Sequence, residues 1–255
     1  MNLLIFILGT VIGQLLNWLL DNLSLSEPAA ATAAGPARKT VWWRRLPVAD
    51  ALGHRFGAAS RSGVSWRVLA VELFCGTGFL LAYLKYGKYG LTPQWGVFVF
   101  YLCLLLVIAV IDLKERLILN KLVFPAIPLA LLLATFFPMG LAAGEAPLDS
   151  FLLSLLGGAV AFIILLLPAL IWQGGMGWGD VKLAGLVGIA TGFPGCLVAL
   201  GLAIIGGGLL AIALVVSRRK KRRDVIPFGP FICAGALAAL VWGEAISAWY
   251  LGLIL

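Results

Sequence analysis

The amino-acid sequence predicts an all-α polytopic membrane protein, a bundle of about eight transmembrane helices. Of its 255 residues, 62% are hydrophobic and only 12% are charged, and the mean hydropathy is +1.06. A water-soluble domain carries roughly 25% charged residues. The apolar residues also come in blocks of about 20, the length that crosses a bilayer as a helix. Repeated spans of this length form helices because lipid offers no partner for backbone hydrogen bonds.

Eight segments are predicted to be helical spans. They cover residues 2–20, 66–84, 94–111, 121–138, 148–172, 181–191, 194–216 and 228–251. The sixth is short and is followed by a turn signal at Gly192 to Gly195, so it is predicted as a short helix or as half of a re-entrant hairpin. The chain thus divides into a first helix (1–20), a cytoplasmic loop or cap (21–65) and a transmembrane core (66–255). The alternative for residues 1–20 is a signal peptide, although the segment lacks a positively charged start.

The basic residues are concentrated on one side of these spans. Seventeen of the nineteen lysines and arginines lie in loops on that side, whereas the other side has Lys85 and Lys88. Since lysine and arginine mark the cytoplasmic side, the long basic loops are predicted to be cytoplasmic, with both termini outside the plasma (inner) membrane. The net charge of +8 therefore orients the chain and binds it to anionic lipids, and it predicts no nucleic-acid partner.

Four carboxylates lie in or at the edges of the apolar spans: Glu72, Asp112, Asp180 and Glu244. An ionised carboxylate at the bilayer centre costs about 2.5–3.5 kcal/mol on insertion scales, so each is a candidate functional residue. Asp112 ends the third span, which runs inward, and Asp180 opens the sixth, which runs outward. Both are expected near the cytoplasmic face at comparable depth, which makes them a candidate pair.

Such a pair suits aspartic proteolysis, because two carboxyls a few ångströms apart cannot both ionise and therefore hold one proton. The ionised member takes a proton from the attacking water, and the protonated member polarises the scissile carbonyl. The sequence does not say which aspartate is the base. Taken singly, Asp180 could instead cap a helix, and Asp112 could mark the membrane boundary.

Glycines precede the second aspartate in Gly177-Trp178-Gly179-Asp180. Glycine permits positive φ and a close approach of an extended substrate backbone. Lys182 could stabilise an ionised carboxylate, or it could extend to the lipid headgroups. Two other function classes stay open on these residues: a carboxylate-based transporter or proton relay, and a non-catalytic membrane scaffold.

The GxGD motif at Gly177 to Asp180, continued by Val181, Lys182 and Leu183, resembles that of the prepilin peptidases. Asp112 followed by Ile118-Leu119-Asn120 resembles the family's first-aspartate motif, with Leu119 where proline is usual. Three further segments resemble the family in the right order: residues 13–17, residues 65–73 with Glu72, and Pro227-Phe228-Gly229-Pro230-Phe231.

The resemblance implies an aspartic endopeptidase that removes the leaders of type IV prepilins and pseudopilins at the cytoplasmic face. It implies that Asp112 and Asp180 are catalytic. Five further residues are expected to support substrate binding: Gly177, Gly179, Lys182, Asn120 and Glu72.

The resemblance also bears on cofactors. Many bacterial members bind zinc through two CxxC pairs in the first cytoplasmic loop, but residues 45–65 contain no cysteine, so zinc is not expected and His54 is a plain loop residue. The cysteines are predicted to be buried, reduced hydrophobes: Cys75, Cys103, Cys196 and Cys233. Proteolysis needs no cofactor, whereas methylation of the new N-terminus with S-adenosylmethionine stays open, as does the oligomeric state.

Overall fold

The computed structural model describes residues 1–23, 66–87, 92–142, 144–171, 176–217 and 227–254. In this part of the chain the structure is all-α, which confirms the predicted class. The α-helices are α1 (Asn2–Leu23), α2 (Trp66–Tyr86), α3 (Pro93–Glu115), α4 (Asn120–Phe136), α5 (Pro147–Ile171), α6 (Trp178–Thr191), α7 (Gly195–Val216) and α8 (Gly229–Ile254), with a 3₁₀ turn at Gly140–Ala142. Most of the predicted cytoplasmic loop with His54, the glycines Gly174 and Gly175, and the basic run 218–223 lie outside the described residues.

Six of these helices are long and apolar enough to cross a membrane: α1, α2, α3, α5, α7 and α8. α4 is a shorter apolar helix. The predicted sixth span is α6, a helix of 14 residues that begins at Trp178 rather than at residue 181. At about 1.5 Å per residue it rises roughly 21 Å, less than the hydrocarbon thickness of about 30 Å. The prediction that this segment is too short to cross the membrane as a full-length helix is therefore confirmed.

The chain forms two compact units, Met1–Tyr83 and Leu84–Leu255. In the first unit α1 packs against α2 through small residues, as closely packed membrane helices do. A Cβ added at Gly9 would lie 2.9 Å from the Cα of Gly76, and one added at Gly13 would lie 2.9 Å from the Cα of Glu72. Since position 9 meets 76 and position 13 meets 72, the two helices run antiparallel.

In the second unit α6 is buried among its neighbours. It packs against α4, α5, α7 and α8, and α8 in turn contacts α3 and α7. Gly157 of α5 and Gly188 of α6 let their backbones meet, since a Cβ on either one would overlap the other's carbonyl oxygen. The helix with the second aspartate is thereby held inside the unit, and α8 contacts both aspartate-bearing helices.

Candidate active site

Asp112 lies near the end of α3 and is only 5% exposed. The helix continues to Glu115 and stops because Arg116 takes a left-handed conformation (φ 52°), with its N–H donating to the Asp112 carbonyl at 2.9 Å. Leu113 and Lys114 beyond the aspartate are exposed. The carboxylate is therefore the last buried side chain at this end of the helix.

The backbone N–H of Gly229 donates to Asp112 Oδ2 at 3.1 Å. Gly229 is the first residue of α8, where backbone N–H groups have no partner inside the helix. Pro230 has no N–H, and the N–H of Phe231 donates to the Phe228 carbonyl at 3.0 Å. The start of α8 also carries partial positive charge, so it stabilises negative charge on Asp112.

Gly229 is a site residue that the sequence reasoning missed. A Cβ added there would lie 2.6 Å from Asp112 Oδ2, so glycine is required by the close approach of the carboxylate. The sequence signal that could have identified Gly229 was a glycine followed by proline at the predicted start of the last span. That segment contributed to the family resemblance but received no role.

Asp180 is the third residue of α6, and Gly177 is the N-cap. The Asp180 N–H donates to the Gly177 carbonyl at 3.1 Å, and the Gly177 backbone N–H in turn interacts with the Asp180 carboxylate. The contact of the Asp180 carboxylate with the N-cap N–H is one half of a capping box; the other half is absent because Gly177 has no side chain. The predicted helix-capping role of Asp180 is thus present, and it orients the carboxylate.

The backbone conformation of the two motif glycines differs from the predicted one. Gly177 has φ −75°, and Gly179 is helical, so neither uses the positive φ that the sequence suggested. A Cβ added at Gly179 would lie 2.9 Å from the Cβ of Ile118, and one added at Gly177 would lie 3.3 Å from Asp180 Oδ2. Gly179 therefore lets the start of α6 dock on Ile118, the buried residue of the segment that follows α3.

The structure brings the two predicted aspartates together. Asp112 and Asp180 are close enough for their charges to interact, and the buried Cys233, one turn into α8 from Gly229, lies within electrostatic range of both. The pair thus lies where α3, α6 and the start of α8 meet. Each carboxylate has a backbone N–H donor at a helix N-terminus, so negative charge is supported on either one.

Two of the predicted supporting residues meet each other. Lys182 Nζ donates to Asn120 Oδ1 at 3.1 Å and lies 5.1 Å from the centre of the Phe124 ring, a cation–π distance. Asn120 opens α4, so this contact ties α6 to α4. Glu72 belongs to the first unit and is 8% exposed.

An apolar groove of about 560 Å³ lies between α4, α5 and α6. Lys182 is its one charged lining residue in the described part of the chain. The rest of the lining is apolar: Phe124, Ile127, Leu155, Gly158, Ala159, Phe162, Ile163, Gly185 and Ile189. Lys182 places one end of the groove at the first two turns of α6, the end of that helix that also carries Asp180.

Among the described residues, no group of three His, Cys, Asp or Glu side chains is placed to hold a metal ion. Three of the cysteines are buried, as predicted, whereas Cys103 is half-buried.

The Gly179–Ile118 contact leads to a stability prediction. Gly179→Ala is expected to lower the free energy of unfolding by about 1–3 kcal/mol, the usual cost of overpacking, measured by denaturation in detergent. Ile118→Ala in the same chain should restore part of the loss because it removes the opposing side chain. Gly96→Ala is the control, since a Cβ there meets nothing within 4 Å. Additive effects of the Gly179 and Ile118 substitutions would contradict the contact.

The type IV leader peptidase family model matches residues 99–212, a range that contains both aspartates. The chain is 32% identical over 195 residues to the prepilin leader peptidase/N-methyltransferase of Bacillus subtilis (strain 168), covering 75% of this chain and 73% of that protein. The chain belongs to the type IV leader peptidase family. The predicted family is thereby confirmed.

Other relatives carry the same name. The protein of Aeromonas salmonicida (strain A449) is 31% identical over 174 residues, 65% of this chain and 56% of its own length. That of Stutzerimonas stutzeri is 29% identical over 215 residues, 82% of this chain and 70% of its own length. No solved structure matches the chain. The leader peptidase thus spans about half to three quarters of the length of these relatives.

Proposed function

We propose that Asp112 and Asp180 are the catalytic pair of this leader peptidase, and that it cleaves type IV prepilins and pseudopilins at the cytoplasmic face of the inner membrane. The observation that carries the proposal is that the two acidic side chains lie close enough for their charges to interact, with Asp112 hydrogen-bonded to the start of α8. Family membership favours this reaction over a carboxylate-based transporter or a scaffold.

Two neighbouring carboxyls share one proton. The ionised member accepts a proton from a water molecule as that water attacks the scissile carbonyl, and the protonated member donates to the carbonyl oxygen. Gly229 and Gly177 hold the carboxylates of Asp112 and Asp180, respectively, through their backbone N–H groups. The roles of base and acid belong to the pair as a whole.

The membrane orientation is part of the proposal. Asp112 lies near the end of α3, and Asp180 lies in the first turn of α6. The loops next to both ends belong to the basic side of the chain, which the positive-inside rule places in the cytoplasm. With both termini outside, the pair faces the cytoplasmic headgroups, where anionic lipids bind the basic loops.

The direct test is to incubate the purified protein with a prepilin and to determine the mass and new N-terminus of the product. A shortened pilin that lacks its leader is expected. If the prepilin stays intact in lipid and detergent alike, the proposed function is wrong.

The apolar groove between α4, α5 and α6 is the proposed site for the apolar helix of the substrate. It has the required chemistry, with apolar walls and one end at the first two turns of α6, the helix that carries Asp180. In this arrangement the cleavage point lies beside the aspartates while the rest of the substrate helix contacts α5.

Filling the groove should therefore weaken substrate binding. Ala159→Phe, at an exposed lining position, is expected to raise KM for prepilin about tenfold, equivalent to about 1.4 kcal/mol of binding, with kcat little changed. Leu156→Phe is the matched control, since Leu156 is exposed on the same helix but does not line the groove. Equal KM values for the two variants would place the substrate helix elsewhere.

A second activity is proposed from the relatives' shared name, which includes N-methyltransferase. S-adenosylmethionine would supply the methyl group, and we assign no described residue to that cofactor. Mass analysis of the mature pilin should show a methylated N-terminus only when S-adenosylmethionine is added. An unmodified N-terminus under both conditions would restrict the protein to proteolysis.

A further inference from the structure

The first unit holds three polar side chains that proteolysis by Asp112 and Asp180 does not use: Gln14 and Asn17 on α1 and Glu72 on α2. Asn17 and Glu72 are only 4% and 8% exposed. One buried polar atom of each side chain has no hydrogen-bond partner: Gln14 Nε2, Asn17 Oδ1 and Glu72 Oε1. Buried polar groups are nearly always paired, so this cluster is suited to a polar ligand.

Helix geometry directs two of these side chains toward each other. Gly13 is packed on Glu72, and one turn further along α1 Asn17 Nδ2 donates to the Val68 carbonyl at 3.3 Å. Side chains lean toward the N-terminus of their own helix. Because α1 and α2 run antiparallel, Asn17 leans toward the level of Glu72, and Glu72 leans toward the level of Asn17.

The unpaired atoms define the ligand chemistry. Asn17 Oδ1 and Glu72 Oε1 are acceptors, and Asn17 Nδ2 is already engaged by Val68. Gln14 Nε2 is a donor. A matching ligand has a positively charged group with at least two N–H donors, and this group is followed by a carbonyl acceptor. A peptide N-terminus has this composition, because its ammonium group is followed by the carbonyl of the first residue.

We propose that Gln14, Asn17 and Glu72 bind the free N-terminal ammonium of the processed pilin, an inference that rests on the proposed function. Cleavage creates this group from a backbone amide, which is uncharged and has a single hydrogen. A carboxylate held in an apolar environment therefore favours the product terminus over the precursor. The cluster lies toward the ends of α1 and α2 that flank the basic loop, the side on which cleavage is proposed.

The experiment uses the full chain with Asp112→Asn and Asp180→Asn, so that no probe is cleaved. The probes are two synthetic apolar peptides of one sequence, labelled at the C-terminus, one with a free N-terminus and the other N-acetylated. Binding is measured by fluorescence anisotropy in detergent micelles, with protein-free micelles as the blank. The peptide with the free N-terminus is expected to bind at least about tenfold more tightly than the acetylated one, which is the gain that a charge-assisted hydrogen bond provides.

Glu72→Gln and Asn17→Leu are expected to abolish this preference while leaving the acetylated peptide's affinity unchanged, which also shows that each variant is folded. Glu244→Gln is the matched control, because Glu244 is an exposed carboxylate on α8. Equal binding of both peptides by the parent protein would overturn the proposal, as would a preference that survives Glu72→Gln. Prepilin cleavage by the unmodified chain is assayed separately, so failure of the amine site and failure of the proteolytic function are distinguishable.

Discussion

Asp112→Asn and Asp180→Asn are each expected to lower the rate of prepilin cleavage by about 10²–10⁴-fold or more, the range that a positioned acid or base contributes. Asparagine keeps the shape of aspartate and can still accept the N–H of Gly229 or Gly177, but it neither takes nor gives a proton in this reaction. The loss should appear in kcat, with prepilin affinity retained. Product formation over time by gel shift or mass spectrometry measures it.

Asp149→Asn is the matched control for these variants. Asp149 is exposed and is the third residue of α5, the same position that Asp180 occupies in α6. Both aspartates lie in the first turn, where the helix dipole favours negative charge by about 0.3–1 kcal/mol. If Asp149→Asn loses as much activity as Asp180→Asn, the helix terminus rather than proton transfer is responsible.

Gly229→Ala is expected to reduce kcat by about 10²-fold, the effect of displacing a reacting group by about 1 Å. The added Cβ would lie 2.6 Å from Asp112 Oδ2, so the carboxylate must move and its hydrogen bond to the Gly229 N–H is weakened or lost. Alanine is well tolerated at a helix start, so most of the effect should be on activity. Steady-state kinetics on prepilin separates kcat from KM, and thermal unfolding in detergent checks the fold.

Gly243→Ala on the same helix is the control for Gly229→Ala. A Cβ at position 243 would lie 3.9 Å from Leu141 Cδ1, an ordinary van der Waals contact, and should leave cleavage unchanged. Wild-type kinetics for Gly229→Ala would mean that the hydrogen bond to Asp112 contributes nothing to the reaction.

The helical class and the candidate aspartates could be predicted because both depend on the local sequence. A block of about 20 apolar residues forms a membrane helix in any bundle, and a carboxylate in such a block is costly enough to need a function. The same reasoning identified α6 as unusually short. Glu72 was also predicted to be important on this basis, whereas its position opposite Gly13 was not predictable.

The contacts that make the site depended on residues far apart in the chain. Gly229 and Asp112 are separated by 117 residues, and Lys182 and Asn120 by 62. Gly179 was expected to allow positive φ, but it is helical and leaves room for Ile118. Such a requirement is absent from either segment alone and exists only once the two are packed.

The sequence by itself thus determined that this protein spans the membrane, that Asp112 and Asp180 are its candidate pair, and which family its motifs resemble. Transfer of apolar blocks into lipid and the cost of a buried charge are properties of each segment, so they can be estimated without the fold. Only the tertiary structure decided that the start of α8 supplies a donor to Asp112 and that α1 and α2 enclose unpaired polar atoms. Those features arise because helices that are far apart in the chain pack closely in the fold. At such a contact a glycine, which has no Cβ, allows a group on the neighbouring helix to approach.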